Sequence, residues 1–186
     1  MRALVTGAAG FVGQWLCEAL VSRGWDVFGA RLGGDVPPGR LGPRERDAVQ
    51  WIDCDVTRAG TLGAALDAST PDVVFHLAGV AFVPAASADP AGTLEVNVVA
   101  AARLLAEIGA RRRAGMLDPV VLVVGSGEQY GRHDAAEQPL AESAEQRPLN
   151  PYASSKTAQE VIALAAHRAT DVRVIVTRSF NHSGAG

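Results

Sequence analysis

The sequence predicts an α/β fold, a doubly wound parallel sheet with helices on both faces. Three observations lead there. Six short runs rich in Val, Ile, Leu and Phe recur along the 186 residues, and nearly uninterrupted apolar runs suit parallel strands buried on both sides. Stretches of helical periodicity lie between these runs, and strands alternating with helices build βαβ units with right-handed crossovers. The first run passes directly into a glycine-rich turn, Thr6-Gly7-Ala8-Ala9-Gly10-Phe11-Val12-Gly13. The length fits one such domain with a sizeable core.

The first strand is read at residues 3–6. Residues 11–23 follow as a helix with Phe11, Trp15, Leu16, Ala19 and Leu20 on one stripe, and Gly24 stops it. The second strand is 26–30. Residues 31–47, rich in Gly, Pro and Arg, read as a loop before a third strand at 50–54 and a fourth at 73–76. Asp89-Pro90 is a good N-cap and first-turn pair for a long helix running to about residue 110. A fifth strand at 120–124 leads to a second loop, 131–150. Pro151 opens a helix ending near 168, and 173–177 is the sixth strand.

Composition narrows the function. A formal charge of -3 gives no electrostatic reason for a nucleic-acid partner. The one basic cluster, Arg111-Arg112-Arg113, sits where a helix should end and complements its dipole. Cys17 and Cys54 have neither pairing nor metal spacing and read as reduced cysteines of a cytoplasmic protein. The histidines at 76, 133, 167 and 182 lack ligand spacing, so no metal site is expected. The chain opens on a strand-like run without the features of a leader, and no apolar segment is long enough for a membrane span.

Glycines at a strand-to-helix turn let the backbone approach a pyrophosphate, whose charge the helix N-terminus then stabilises. Gly7, Gly10, Phe11, Val12 and Gly13 are therefore candidate cofactor contacts in a Rossmann domain. Arg31 ends the second strand, where a carboxylate would bind the ribose hydroxyls of NAD. An arginine can pair with a 2′-phosphate, which favours NADP(H), with NAD(H) possible; alternatively Arg31 is a solvated loop residue.

Lys156 is the only lysine among seventeen basic residues, and it lies four positions after Tyr152, one of two tyrosines. On a helix that spacing puts both on one face, roughly 5–6 Å apart at Cβ. A free tyrosine titrates near 10, and bringing it to about 7 requires roughly 4 kcal/mol of preference for the phenolate. A cation about 4 Å away supplies roughly that at an effective dielectric near 20. Lysine also carries three donors on a flexible stem that can reach ribose hydroxyls, which the planar arginine fork does not reproduce.

With its G-x-x-G-x-x-G spacing and Tyr-x-x-x-Lys pair, the chain resembles the extended short-chain dehydrogenase/reductases, in particular the NAD(P)-dependent epimerase/dehydratase family. The resemblance implies further roles. Asp55-Val56 is similar to the family's adenine-contacting pair, and Leu77-Ala78-Gly79 to a segment lining the cofactor. Ser126 heads a segment resembling S-x-x-x-Y-G and would hydrogen-bond the substrate oxygen while Tyr152 moves the proton. Glu128 is either a second acid/base group or an orienting carboxylate, and Tyr130 is structural. Glu95-Val96-Asn97 is similar to the start of an N-V-x-G-T segment, with Val99 in the glycine position.

Arg178-Ser179-Phe180-Asn181-His182-Ser183-Gly184 resembles R-P-F-N-H-x-G-P-G of GDP-4-keto-6-deoxy-mannose reductases and their dehydratase relatives, which implies that Asn181 is a substrate contact; Ala185 stands for a proline and Ala81 for a serine. Residues 1–178 are then a dinucleotide-binding domain. Residues 179–186 begin a substrate-binding region that family members continue and this sequence does not, so a fragment or truncated product is expected. The implied activity is NAD(P)H-dependent reduction of a 4-keto nucleotide sugar by Ser126, Tyr152 and Lys156. A 4,6-dehydratase, a 4-epimerase and a non-catalytic dinucleotide sensor are the alternatives. The family also implies a homodimer through helices 89–110 and 151–168, whose Val98, Ala101, Leu105, Ala158, Ile162 and Ala165 suit either an interface or a core.

Overall fold

A computed structural model describes residues 1–37 and 39–184; Ala185, one of the departures noted above, lies outside the described residues. Six strands form one sheet in the order β3-β2-β1-β4-β5-β6. They are β1 (Arg2–Thr6), β2 (Asp26–Arg31), β3 (Val49–Asp53), β4 (Val73–His76), β5 (Val120–Ser126) and β6 (Arg173–Ser179). Every pairing is parallel. The order reverses between β1 and β4, and in open parallel sheets ligands bind outside the carboxyl ends of the strands at that switch.

Among the described residues seven α-helices cover the sheet: α1 (Phe11–Val21), α2 (Pro43–Ala48), α3 (Thr61–Ser69), α4 (Val83–Ala88), α5 (Pro90–Leu94), α6 (Ala100–Arg113) and α7 (Pro151–Thr170). They enclose a core on each side. Leu4, Leu66, Val74, Leu104, Ile108 and Val121 centre the larger one, and Val5, Cys17, Leu20, Val27 and Leu41 belong to the other. Both cysteines are buried and free, and burial pushes the Cys17 thiol up to about 12. No helix among the described residues is long and apolar enough to cross a membrane.

The structure corrects the sequence reading in three places. The expected loop 31–47 contains the start of α2, which Pro43 opens with Glu45 in its first turn. The expected loop 131–150 contains a 3-10 turn, Ala135–Glu137, closed by a capping box from Asp134. The long helix expected from residue 89 begins as read, with Asp89 accepting from the Gly92 N–H, but widens into a π turn at Glu95–Val99 before α6 resumes. Val98, Ala101 and Leu105 are then buried in the chain's own interior rather than presented to a partner.

Candidate active site

The glycine turn is built by backbone geometry. Gly7 has φ of +69°, and a Cβ there would sit 2.8 Å from the Ala78 nitrogen, so both torsion and space require glycine. A Cβ at Gly13 would collide with the Gly7 carbonyl and the Ala8 Cα, letting α1 pack close against the turn. Gly10 is the N-cap of α1 and supplies no side-chain cap. The first-turn N–H groups of an eleven-residue helix are thereby left for an anion. Gln14 ties this turn to the segment after β2: its amide donates to the Ala9 and Pro37 carbonyls and accepts from the Leu41 N–H.

Two cavities of about 400 Å³ lie along the carboxyl ends of the strands and share Gly79. Gly7, Arg31, Asp55, Val56 and Ala78 line one of them. There Arg31 Nε lies 3.0 Å from the exposed Asp53 carboxylate, and its guanidinium stands over the Trp51 ring at 5.8 Å. The Thr57 hydroxyl and N–H donate to Asp55 at 2.6 and 2.9 Å and hold its carboxyl below the ordinary range. Joined at Gly79 and lined by Gly7, Phe11 and Val12 from the glycine turn and the start of α1, the two cavities offer room for a dinucleotide.

Phe11, Val12, Leu77, Ser126, Glu128, Tyr152, Lys156 and Asn181 line the other cavity. Of the expected site residues only Gly10 and Gly13 line neither; they shape the turn beneath. Tyr152 comes from the first turn of α7, whose N-cap Asn150 accepts from the Ala153 N–H. One turn later Lys156 is 7% exposed. Its ammonium donates to the Val124 carbonyl at 2.8 Å and to Gln159 Oε1 at 3.1 Å, and burial pushes its pKa down to about 8. Behind it His76 is fully buried with Nδ1 2.9 Å from the Thr6 hydroxyl. Burial, aided by the Lys156 charge, pulls its pKa down to about 3.

Ser126 ends β5 and accepts from the Glu128 N–H at 3.2 Å; Asn150 Nδ2 donates to Glu128 Oε2 at 3.3 Å. A buried polar chain fixes this turn from behind. The Ser126 N–H donates to Gln129 Oε1, and Gln129 Nε2 donates to Glu160. Arg178 clasps both Glu160 oxygens and donates to the Tyr130 hydroxyl, holding the Glu160 carboxyl below its ordinary range. The Tyr130 ring is buried and away from both cavities.

Sequence reasoning missed Asn97. It sits in the π turn, fully buried, and bonds both main-chain groups of Val80 and the Ser155 hydroxyl. The segment after β4 is thereby pinned to α7, one residue before Lys156. The Asn97 motif was visible, but its partners lie 17 and 58 positions away. Gln129 carried no signal at all.

A model of the NAD dependent epimerase/dehydratase family matches residues 3–186. GDP-6-deoxy-D-mannose reductase of Pseudomonas aeruginosa is 35% identical over 187 residues, covering the whole chain and 53% of that protein. The solved structure of RMD from Pseudomonas aeruginosa complexed with NADPH superposes with a TM-score of 0.75 at 33% identity, covering 99% of this chain and 56% of that one. Thermus thermophilus UDP-glucose 4-epimerase complexed with NAD gives 0.82 at 27% identity, covering 96% and 54%. The chain spans about half the length of the curated relatives it matches.

Proposed function

The chain belongs to the NAD dependent epimerase/dehydratase family, and from that premise we propose that it carries the cofactor-binding and proton-transfer half of a 4-keto nucleotide-sugar reductase. The observation that carries this reading is one cavity lined by Ser126, Tyr152 and Lys156 and joined at Gly79 to a second cavity beside the glycine turn. Gly7, Gly10 and the start of α1 hold the pyrophosphate, and Asp55 and Val56 flank the adenine. A nicotinamide held in the cavity that Tyr152 and Lys156 line would supply the hydride that reduces the C4 ketone. Ser126 hydrogen-bonds the ketone oxygen, Tyr152 gives it a proton, and Lys156 stabilises the phenolate left behind. Asn181 contacts the sugar.

The likeness to GDP-6-deoxy-D-mannose reductase and the RSFNHSG segment favour a GDP-linked 4-keto-6-deoxy-mannose as substrate. Arg31 favours NADP(H): it stands at the rim of the adenosine-end cavity, where a 2′-phosphate competes with Asp53 for the guanidinium. Incubation with NADPH and a GDP-4-keto-6-deoxy sugar tests the reading. One NADPH should be consumed per product formed, and product without net NADPH loss overturns it. That second outcome is what a dehydratase or epimerase gives, and Glu128 in the cavity wall supplies the acid/base group such a reaction needs.

Dimer formation also belongs to this proposal. With Val98, Ala101 and Leu105 buried, the outward apolar residues of the two expected helices are Leu94, 44% exposed, and Val161, 59% exposed, beside Ala165. A two-fold pairing of α7 with α5 and α6 covers them.

A further inference from the structure

We propose that Gln159 is a positioning residue for Lys156: its side-chain carbonyl and the main-chain carbonyl of Val124 occupy two of the three ammonium N–H groups, leaving the third for the cavity. The assignment starts from a buried lysine. A cation on a four-carbon stem has many rotamers, and a single carbonyl would leave its head free to swing. Here the Nζ donates at 2.8 Å to Val124 on β5 and at 3.1 Å to Gln159, one turn further along α7. The two acceptors lie on different elements, so together they fix the direction of the remaining donor, and Lys156 itself lines the cavity with Tyr152.

Gln159 gains little else from its position. It is 1% exposed, and its amide nitrogen is buried without a hydrogen-bond partner among the described residues. An unpaired buried donor is a cost that a methionine or leucine of similar volume would not carry. The lysine also fixes which way the amide points, since the nitrogen turned toward an ammonium would set donor against donor. Among the described residues no carboxylate pairs with the ammonium. His76 on β4 is held neutral by burial; from the segment after β4, Gly79 passes close enough that a Cβ there would meet Lys156 Nζ at 3.6 Å, and Asn97 Oδ1 is engaged by the Val80 N–H. Glu128, Tyr152 and His182 face the same cavity. The consequence for proton transfer rests on the reading of Lys156 given above; the positioning itself does not.

The composition provides a direct test, because Lys156 is the only lysine. Protein labelled with lysine carrying ¹³C at the ε carbon gives a single lysine signal in NMR, and its chemical shift against pH reports this ammonium alone. The wild-type midpoint is expected near 8. Gln159→Met removes an acceptor from the charged form, so the midpoint should fall by about one pH unit. Gln159→Glu puts a carboxylate at the same place, and the midpoint should rise by at least as much. A folded Gln159→Met protein with the wild-type midpoint overturns the proposal. An unfolded variant announces itself by a signal titrating near 10.4; Gln159→Glu then decides, supporting the proposal by a raised midpoint in folded protein and overturning it by an unchanged one. Adding NADPH to the same sample examines the cofactor separately: a lysine signal indifferent to NADPH counts against the functional reading while leaving the Gln159 result standing.

Discussion

Lys156, a buried cation in the cavity wall, and His76, a buried neutral ring whose pKa that charge helps to lower, each make stability depend on pH. His76 has a folded pKa near 3 against an ordinary 6.5. As pH falls below 6.5 the unfolded chain takes up that proton first, so stability should drop by about 1.4 kcal/mol per pH unit until about pH 3. Lys156 acts in the alkaline range, with a folded pKa near 8 against 10.5. Its contribution is most favourable above 10.5, falls as pH drops toward 8, and is constant below. Urea midpoints across pH 4–10 should show both slopes; Lys156→Met should remove the alkaline one and, by taking away a charge that helps depress His76, narrow the acid one. Tyr152→Phe should cut turnover of the active enzyme by at least about 100-fold and leave the dissociation constant for NADPH, measured by calorimetry, within a few-fold of wild type. A loss of cofactor binding instead would assign the phenol a holding role. At this scale the sequence exposed groups that announce their chemistry in a local pattern: the glycine turn, Ser126, and the Tyr152–Lys156 spacing. Asn97, Gln129 and Gln159 were not legible, because an amide is defined by what it touches, and their partners come from other strands and helices.

Elements were legible in proportion to how far a local pattern extends. Each strand of the sheet was anticipated to within two residues, since short uninterrupted β-branched runs bounded by turn residues have few other uses. Helices α2, α3 and α4 were left unassigned. They are six to nine residues long, too short for apolar periodicity to build up, and glycine or phenylalanine stands at their N-caps where a recognisable Ser, Asp or Asn would otherwise mark a start. Helix α7 is the opposite case, with Asn150, Pro151 and twenty residues of clear pattern. Its outward face yields a prediction about assembly. Val161→Arg changes an exposed position, so the monomer's thermal stability should stay within about 0.5 kcal/mol. Sedimentation equilibrium should nevertheless show the variant associating at least tenfold more weakly than wild type. An unchanged association would place the contact elsewhere.

Over the whole molecule, the switch between β1 and β4 brings the amino-terminal glycine turn and the carboxyl end of β5 to one edge of the sheet, and the candidate site straddles it. A ligand spanning both halves stabilises the fold by mass action. At about one hundred times its dissociation constant that is about 2.7 kcal/mol, or roughly 5–10 °C in melting temperature for a chain of this size. NADPH should give the larger shift and NADH the smaller if Arg31 takes up a 2′-phosphate, and Arg31→Ala should erase the difference. Equal shifts with wild-type protein would remove Arg31 from the specificity argument. The π turn at Glu95–Val99 has one more implication, for insertions and deletions. A π turn takes about one residue more than an α turn to come round, so removing a single residue there would restore regular winding with α5 and α6 near their present phase and would take Asn97 out of the widened turn. Asn97 would lose Val80 or Ser155 in the process. The local irregularity is therefore one extra residue absorbed within a turn, and what a deletion there would remove is the placement of Asn97 against Val80 and Ser155 rather than the course of the two helices.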